Sequence, residues 1–391
     1  MKKVLVYMNQ NELTPTGGPS GYNHALKQEL DKMGITNIHY LDSPPSKWNK
    51  YQHTGRSIKG TWYGDFLKSF KDFIKFYKYI YCKSKSPINL NDYDAIHFHD
   101  SITLYKLRDE LNTYKGKIIF TSHSPSVLYK ELLSTLTKWE QKHMIWFYNR
   151  MERCDEYAFK RADYLIFPCE EAEDPYYHSW NKFADIKKEK KDSFRYLLTG
   201  TNKRKAKLSK KEVCAKYHIP DNAFIVSYAG RHNELKGFDL LKEIGTNVLS
   251  KIPNAYFLIA GAEDPIKGLK HDRWIEVGWT DDPHSIIAAS DCFVLPNRET
   301  YFDLIMLEVL SLGTIVVASN TGGNKHFKND RGVFLYDNID KAVSTIKYLS
   351  DLHDNDIANL KIGNEKLFDK YYDINIFASN YIHLINSLDL E

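Results

Sequence analysis

Residues 294–323 read VLPNRETYFDLIMLEVLSLGTIVVASNTGG. A short apolar run ends in Pro-Asn-Arg-Glu. A turn follows, then a helical stretch carrying Glu308. A glycine introduces a second apolar run that closes on Asn-Thr-Gly-Gly. Strand, turn, helix and strand in this order make a βαβ unit of a parallel sheet. In open sheets of that kind ligands lie outside the carboxyl ends of the strands. Glu299, Glu308, Thr321, Gly322 and Gly323 fall at or near that edge. The helix starts there too, from about Leu304, and its free N–H groups and positive dipole end would face an anion in the crevice.

The chain has 391 residues, which suggests about two domains. A formal net charge of +4 does not point to nucleic acid. The basic stretch Lys187–Lys211 reads as a solvated linker face, with a contact to an anionic membrane or a phosphate as the alternative. Five scattered cysteines without CxxC spacing suit reduced thiols of a cytoplasmic protein, not a disulfide or zinc framework. MKKVLVYMNQ lacks a cleavage site and reads as a first strand. No apolar stretch approaches the ~20 residues of a membrane span.

Apolar runs at Val4–Met8, Ile38–Leu41, Ala95–Phe98, Ile118–Thr121 and Tyr164–Pro168 alternate with helical stretches. A second series follows at Ala223–Ala229, Ala255–Ala260, Ile275–Trp279, Cys292–Pro296 and Ile315–Ala318. The pattern predicts an α/β protein of two doubly wound, Rossmann-like parallel-sheet domains. The expected division is 1–198 and 199–373, with a terminal helix over 374–391. Tyr63–Tyr81 places Phe66, Phe70, Phe73, Tyr77 and Ile80 at helix spacing with lysines between them. It reads either as an aromatic helix packed on the first sheet or as a basic amphipathic helix on a membrane surface.

Gly-Arg-x4-Lys-Gly at Gly230–Gly237 and the paired glutamates Glu299 and Glu308 make the chain resemble the retaining glycosyltransferases of family 4, with the GT-B fold. The resemblance implies a cleft between the domains, a sugar-nucleotide donor on the C-terminal domain, an acceptor on the N-terminal one, and a last helix that crosses back. It implies that Arg231 and Lys236, with Gly17, Gly18 and the amides of Leu304 and Ile305, hold the donor diphosphate. Glu308 would bind the nucleotide ribose. Thr300, Tyr301, Phe302 and Asp303 would form the loop at the donor sugar, and His123 and Glu299 would be catalytic. His99 is a candidate on the acceptor side.

The physical chemistry of these residue types agrees. An Arg fork and a Lys point charge neutralise a diphosphate. They act most strongly as the leaving group gains charge. A carboxylate inside an apolar helix, as at Glu308, needs a partner. The spacing departs from the family pattern by one residue, so either Glu299 or Thr300 takes the first-glutamate place. Asp303 stands where the family has glycine. Gly-Gly-Asn-Lys-His at 322–326 lacks the usual final glutamate. Trp279 reads as a base platform or a core residue. Asp92-x-Asp94 precedes a strand and reads as a turn, not a metal site.

These readings predict a hexosyltransferase without metal or other cofactor. It would move a hexose or N-acetylhexosamine from a nucleotide diphosphate sugar, UDP in preference to GDP, to a saccharide, lipid-linked saccharide or glycoprotein. The expected place is the cytoplasm or the inner face of the membrane, with no nucleic-acid partner. Two other readings stand beside it. One is a non-catalytic GT-B protein supporting a partner transferase. The other, a nicotinamide-dependent dehydrogenase, is disfavoured by the missing GxGxxG.

Overall fold

A computed structural model describes residues 2–8, 13, 18–41 and 62–390. The chain divides into two compact units. Unit 1 comprises Met1–Phe167, Tyr176–Leu197 and Tyr381–Glu391; unit 2 comprises Pro168–Pro175 and Leu198–Asn380.

Unit 1 holds a six-stranded sheet in the order β2-β1-β3-β4-β5-β6. Its strands are β1 Val4–Tyr7, β2 Ile38–Tyr40, β3 Ala95–Phe98, β4 Lys117–Thr121, β5 Tyr164–Phe167 and β6 Phe194–Tyr196. Every recorded pairing is parallel. Strands such as VLVY are buried at every position. That is why they read as unbroken apolar runs: a sheet covered on both faces has no polar side to alternate with. Strand order reverses between β1 and β3.

Unit 2 repeats the plan in the order β12-β11-β10-β7-β8-β9. Its strands are β7 Phe224–Ala229, β8 Ala255–Ala260, β9 Trp274–Gly278, β10 Cys292–Leu295, β11 Ile315–Ser319 and β12 Val333–Tyr336. The core joins Val226, Phe257, Val294 and Val317 to Phe238, Leu241, Ile244 and Ile346. Here the order reverses between β7 and β10.

The helices that bear on the sites are α1 Gly18–Lys32, α2 Trp62–Tyr81, α3 Ser101–Lys106, α4 Phe238–Lys251, α5 Pro283–Ala289, α6 Leu304–Ser311 and α7 Ile374–Ser387. Gly237 opens α4 at φ +64°, and a Cβ there would lie 1.8 Å from the Pro296 carbonyl oxygen. Only glycine lets the turn before α4 close onto the loop after β10.

Three expectations need correction. The basic stretch Lys187–Lys211 is not a plain linker face, because it contains β6. Several of its cations are engaged: Lys187 lies over the Phe194 ring at 3.7 Å, Lys203 pairs with Asp369 at 2.8 Å and Lys210 with Asp291 at 2.8 Å. β12 closes the second sheet at 333–336, where no strand was expected. On α2 the packed face is Ser69, Phe73, Phe76 and Ile80, whereas Phe66, Phe70, Ile74, Tyr77 and Tyr81 are exposed. Asp92 ends a short 3₁₀ turn and accepts from Asn89, and Asp94 accepts from the Lys3 amide at 2.6 Å. That stretch is the turn its position before β3 suggested.

Candidate functional site

In unit 2 the expected residues gather at the carboxyl ends of the strands, on both sides of the reversal between β7 and β10. β7 delivers Gly230 and Arg231. Arg231 is exposed, and its carbonyl accepts from the Tyr228 hydroxyl at 2.8 Å. Among the described residues its guanidinium makes no ion pair. Lys236 is already matched. Its Nζ donates to Asp303 Oδ1 and Oδ2 at 2.9 and 2.8 Å, and Asn297 Nδ2 donates to Asp303 Oδ2 at 2.5 Å.

Asp303 is the N-cap residue of α6, yet its side chain caps no amide. The amide of Ile305, the second helical residue, therefore lacks the partner that an N-cap side chain ordinarily supplies, and that of Leu304, the first, is not one such a cap serves. The first turn of α6 thus carries a carboxylate beside it and donors that this carboxylate leaves unused.

α6 is apolar on nearly every side, and Glu308 is its one charged residue. Arg204 donates to Glu308 Oε1 from Nε at 3.2 Å and from Nη2 at 2.6 Å, and His284 Nε2 lies 3.3 Å from Oε2. Burial alone would raise this carboxyl. The His284 hydrogen bond and the Arg204 charge outweigh burial and hold it below the usual range. A carboxylate offers about four lone-pair sites. Three are engaged among the described residues, which leaves one on Oε2.

Glu299 and Thr300 part company. Thr300 is 1% exposed, and its hydroxyl has no hydrogen-bond partner among the described residues. Glu299 is half-buried, and its Oε2 accepts from Thr321 Oγ1 at 3.4 Å. Glu299 is therefore the more accessible of these two side chains. Tyr301 and Phe302 are buried, and Phe302 packs on Phe327 with ring centroids 5.6 Å apart. Only the backbone of this pair is left to meet a ligand. Gly322 and Gly323 lie against the carbonyls of Thr300 and Tyr301, where a Cβ would come within 1.9 and 2.0 Å. Trp279 follows β9 and is 79% exposed, so it is no core residue.

In unit 1 the residues lie on β3 and β4 or just past their carboxyl ends. Positions 97 and 99, and 121 and 123, recur at a period of two, and the strands pair in register, His97 opposite Ile119. All four side chains therefore share one face. His97 bonds the Tyr381 hydroxyl at 2.9 Å through Nδ1 and Thr121 Oγ1 at 2.8 Å through Nε2. His99 Nδ1 lies 2.8 Å from His123 Nε2. His99 Nε2 is buried without a partner among the described residues.

An orphaned buried N–H costs more than an orphaned lone pair. The His99 proton therefore belongs on Nδ1, donated to His123 Nε2. His123 then carries its own proton on Nδ1, as a donor. Burial pushes all three imidazoles down, His97 to about 3 and His123 to about 4, so the cluster is neutral at pH 7. Gly18 is exposed in the first turn of α1. Gly17 lies outside the described residues.

Residues 223–354 match the family model Glycosyl transferases group 1. The matched segment contains Arg231, Lys236, Glu299, Asp303 and Glu308. The UDP-Gal:alpha-D-GlcNAc-diphosphoundecaprenol alpha-1,3-galactosyltransferase of Escherichia coli is 31% identical over 146 residues, 33% of this chain and 37% of the relative. The chain spans about a third of the length of the curated relatives it matches.

Similarity of fold extends over the whole chain. The sucrose-phosphate synthase of Thermosynechococcus elongatus superposes with a TM-score of 0.64 at 17% identity, covering 98% of each chain. The HepE protein of Anabaena, solved with UDP-glucose, gives 0.62 at 13%, covering 99% of this chain and 100% of that one. The fold is GT-B: two Rossmann-like units with parallel six-stranded sheets.

Two site residues escaped the sequence reading, Arg204 and His284. Arg204 sits in a basic run, 104 positions from its partner in the group 1 segment, and His284 lies inside α5. No local pattern marks either. The one available signal was Glu308 itself, an acid in an apolar helix that required counter-charges from somewhere.

Proposed function

We propose that this chain is a retaining glycosyltransferase. It moves a hexose or N-acetylhexosamine from a UDP-sugar to a saccharide, lipid-linked saccharide or glycoprotein in cell-surface glycan synthesis. The observation that carries the proposal is the exposed, unmatched Arg231 guanidinium at the sheet reversal of the group 1 segment. Across that reversal, the loop after β10 leads to the first turn of α6. A preference for UDP follows from the UDP-Gal named for the Escherichia coli relative and the UDP-glucose bound to HepE.

In this reading Arg231, Lys236 and the amides of Leu304 and Ile305 neutralise the diphosphate, most strongly as the glycosidic bond breaks. No metal is required, because side chains and a helix terminus supply the positive charge. Glu308 stays ionised and offers its remaining Oε2 site to a ribose hydroxyl. Trp279 offers an exposed ring to the base, and Glu299 orients the sugar. His123 donates from Nδ1 to a sugar oxygen. The acceptor oxygen bonds the anomeric carbon on the face the phosphate leaves, and its proton passes to the departing phosphate oxygen. No side chain has to act as a base.

The test is calorimetry with UDP, GDP and ADP sugars, followed by NMR of the product linkage. UDP-sugar binding that Arg231→Ala abolishes, with an α linkage made from an α donor, is the expected result. An inverted linkage would end the retaining mechanism. Binding unaffected by Arg231→Ala would end the donor site.

A second reading, a non-catalytic protein that supports a partner transferase, is favoured by one observation: Lys236 is neutralised by Asp303. It predicts that no sugar nucleotide is turned over with any acceptor and that Arg231→Ala leaves the partner's activity intact.

We also place the protein at a membrane surface. Phe66, Phe70, Ile74, Tyr77 and Tyr81 form an exposed stripe on α2. Lys68, Lys71, Lys75 and Lys78 lie on the same helix. Trp146, 62% exposed, adjoins this stripe through Arg150, which sits over the Trp146 ring and bonds the Tyr81 hydroxyl. Aromatic rings among lysines suit the headgroup boundary of an anionic bilayer. None of the described helices is long and apolar enough to cross a membrane.

A further inference from the structure

Cys169, Glu171 and His326 converge in unit 2 from two short 3₁₀ turns, Glu170–Glu173 with Cys169 as its N-cap and Gly322–Phe327. One donor atom from each lies within 4.8 Å of the other two. His326 Nδ1 is 3.9 Å from Glu171 Oε2. The other ring nitrogen, Nε2, bonds the Tyr372 hydroxyl at 3.1 Å. Tyr372 is itself buried among Phe302, Phe327 and His326. The imidazole is thus held in one orientation, with Nδ1 turned toward the thiol and the carboxylate. Fixing a histidine through its second nitrogen is how proteins orient a metal ligand.

The geometry points to a structural transition-metal site, of the zinc class, made by Cys169 Sγ, Glu171 Oε and His326 Nδ1 with a water as fourth ligand. A thiolate with an imidazole selects zinc over magnesium or calcium. Zinc bonds of ~2.0–2.3 Å place neighbouring ligands roughly 3.5 Å apart, so the three donors need to close by about 1 Å. Glu171 and His326 are partly exposed, which gives an entry path, while Cys169 is 5% exposed and protected from larger oxidants. On binding, the thiol loses one proton to solvent as the sulfur–metal bond forms.

The ion would join two turns that the polypeptide otherwise fastens by the Lys325–Asp174 pair at 2.7 Å. One of those turns carries Gly322 and Gly323 against Thr300 and Tyr301. A metal here would stiffen the backbone under the turn that bears Glu299. It would not touch the diphosphate residues, so the site stands or falls apart from the proposed transferase activity.

The experiment is a Co²⁺ titration of the full, reduced, chelator-treated chain. The expected result is one Co²⁺ per chain, a thiolate-to-cobalt charge-transfer band, and release of one thiol proton. Cys169→Ser should remove the band. Cys82→Ser, which changes the exposed thiol, should keep it. Glu171→Gln should weaken binding at least about tenfold, and Tyr372→Phe by about tenfold, the lower end for loss of an outer partner. Far-UV circular dichroism checks that Cys169→Ser is folded; Glu171→Gln, at a partly exposed side chain, supplies an independent variant. No charge-transfer band, a band that survives Cys169→Ser, or one lost only with Cys82→Ser would each overturn the site.

Discussion

The histidines of unit 1 and the charged residues of unit 2 meet the cost of burial in opposite ways. In unit 1, His97, His99 and His123 give up their charge: burial lowers all three, and each hydrogen bond runs between neutral groups. In unit 2, Glu308 keeps its charge, and Arg204 and His284 surround it. A neutral cluster can donate or accept at one chosen atom without attracting counter-ions. An ion-pair cluster can hold a charged ligand but must first be released from its own partners. Arg231 has no ion pair to break among the described residues, whereas Lys236 must leave or share Asp303. The contrast predicts that unit 2 governs affinity and unit 1 governs orientation.

The largest expected effect is at the unmatched cation. Arg231→Ala should lower kcat/KM for a UDP-sugar by roughly 10²–10³, measured by UDP release, and Arg231→Lys should recover part of it. If the loss were less than tenfold, the claim that unit 2 supplies the electrostatic binding would break.

In unit 1 the effects should fall on kcat. His123→Ala is expected to cost roughly 10² with little change in KM. His99→Phe removes only the group that fixes the His123 proton on Nδ1, so it should cost less and should shift the pH–rate profile. Equal losses, or a rise in KM alone, would show that the histidines bind rather than orient.

The neutral cluster also sets a pH dependence. His97 and His123 fall from 6.5 in an unfolded chain to about 3 and about 4 in the folded one. Between those limits the unfolded state binds more protons. Stability is therefore full above pH 6.5 and is lost as pH falls toward 4. Urea midpoints measured from pH 7 to pH 4 should decline, and the decline should be shallower in His97→Gln.

Asp303 offers the sharpest test of unit 2. Asp303→Asn deletes the charge that neutralises Lys236 and stands beside the first turn of α6. UDP should bind about tenfold more tightly, equivalent to ~1.4 kcal/mol. Weaker binding would mean that Asp303 itself contacts the donor.

Much of this was legible before the structure. The two sheets, their parallel strands and the carboxyl-edge position of Arg231, Glu299 and Glu308 follow from apolar runs punctuated by glycine. What stayed hidden depends on distance in sequence. β6 and β12 are short strands, one inside a charge-rich stretch, whose pairing rests on neighbours, not on their own apolar length. The one-residue irregularity at Glu299 and Thr300 could be counted but not resolved from spacing, because burial alone distinguishes them. The bond between His99 and His123 was within reach, since two pairs at period two on adjacent strands share a face.

The smallest effect should appear where neither cluster is touched. On α2 the periodicity was clear, but which aromatics it would bury was not. Phe76 and Ile80 went inward, and Phe66, Phe70 and Tyr77 stayed out. Replacing a ring that is more than half exposed costs little folding stability, because most of its apolar surface stays in water. The same ring contributes to partition into a bilayer. Phe70→Ser with Trp146→Ser should therefore leave the melting temperature and UDP affinity nearly unchanged. It should weaken sedimentation with anionic vesicles by about tenfold, for a loss of ~1.4 kcal/mol. Added salt should weaken the wild-type chain in the same assay, since lysines share the work. A double variant that sediments as well as the wild type would remove the membrane from this account and leave α2 as a packed helix with an unusual outer face.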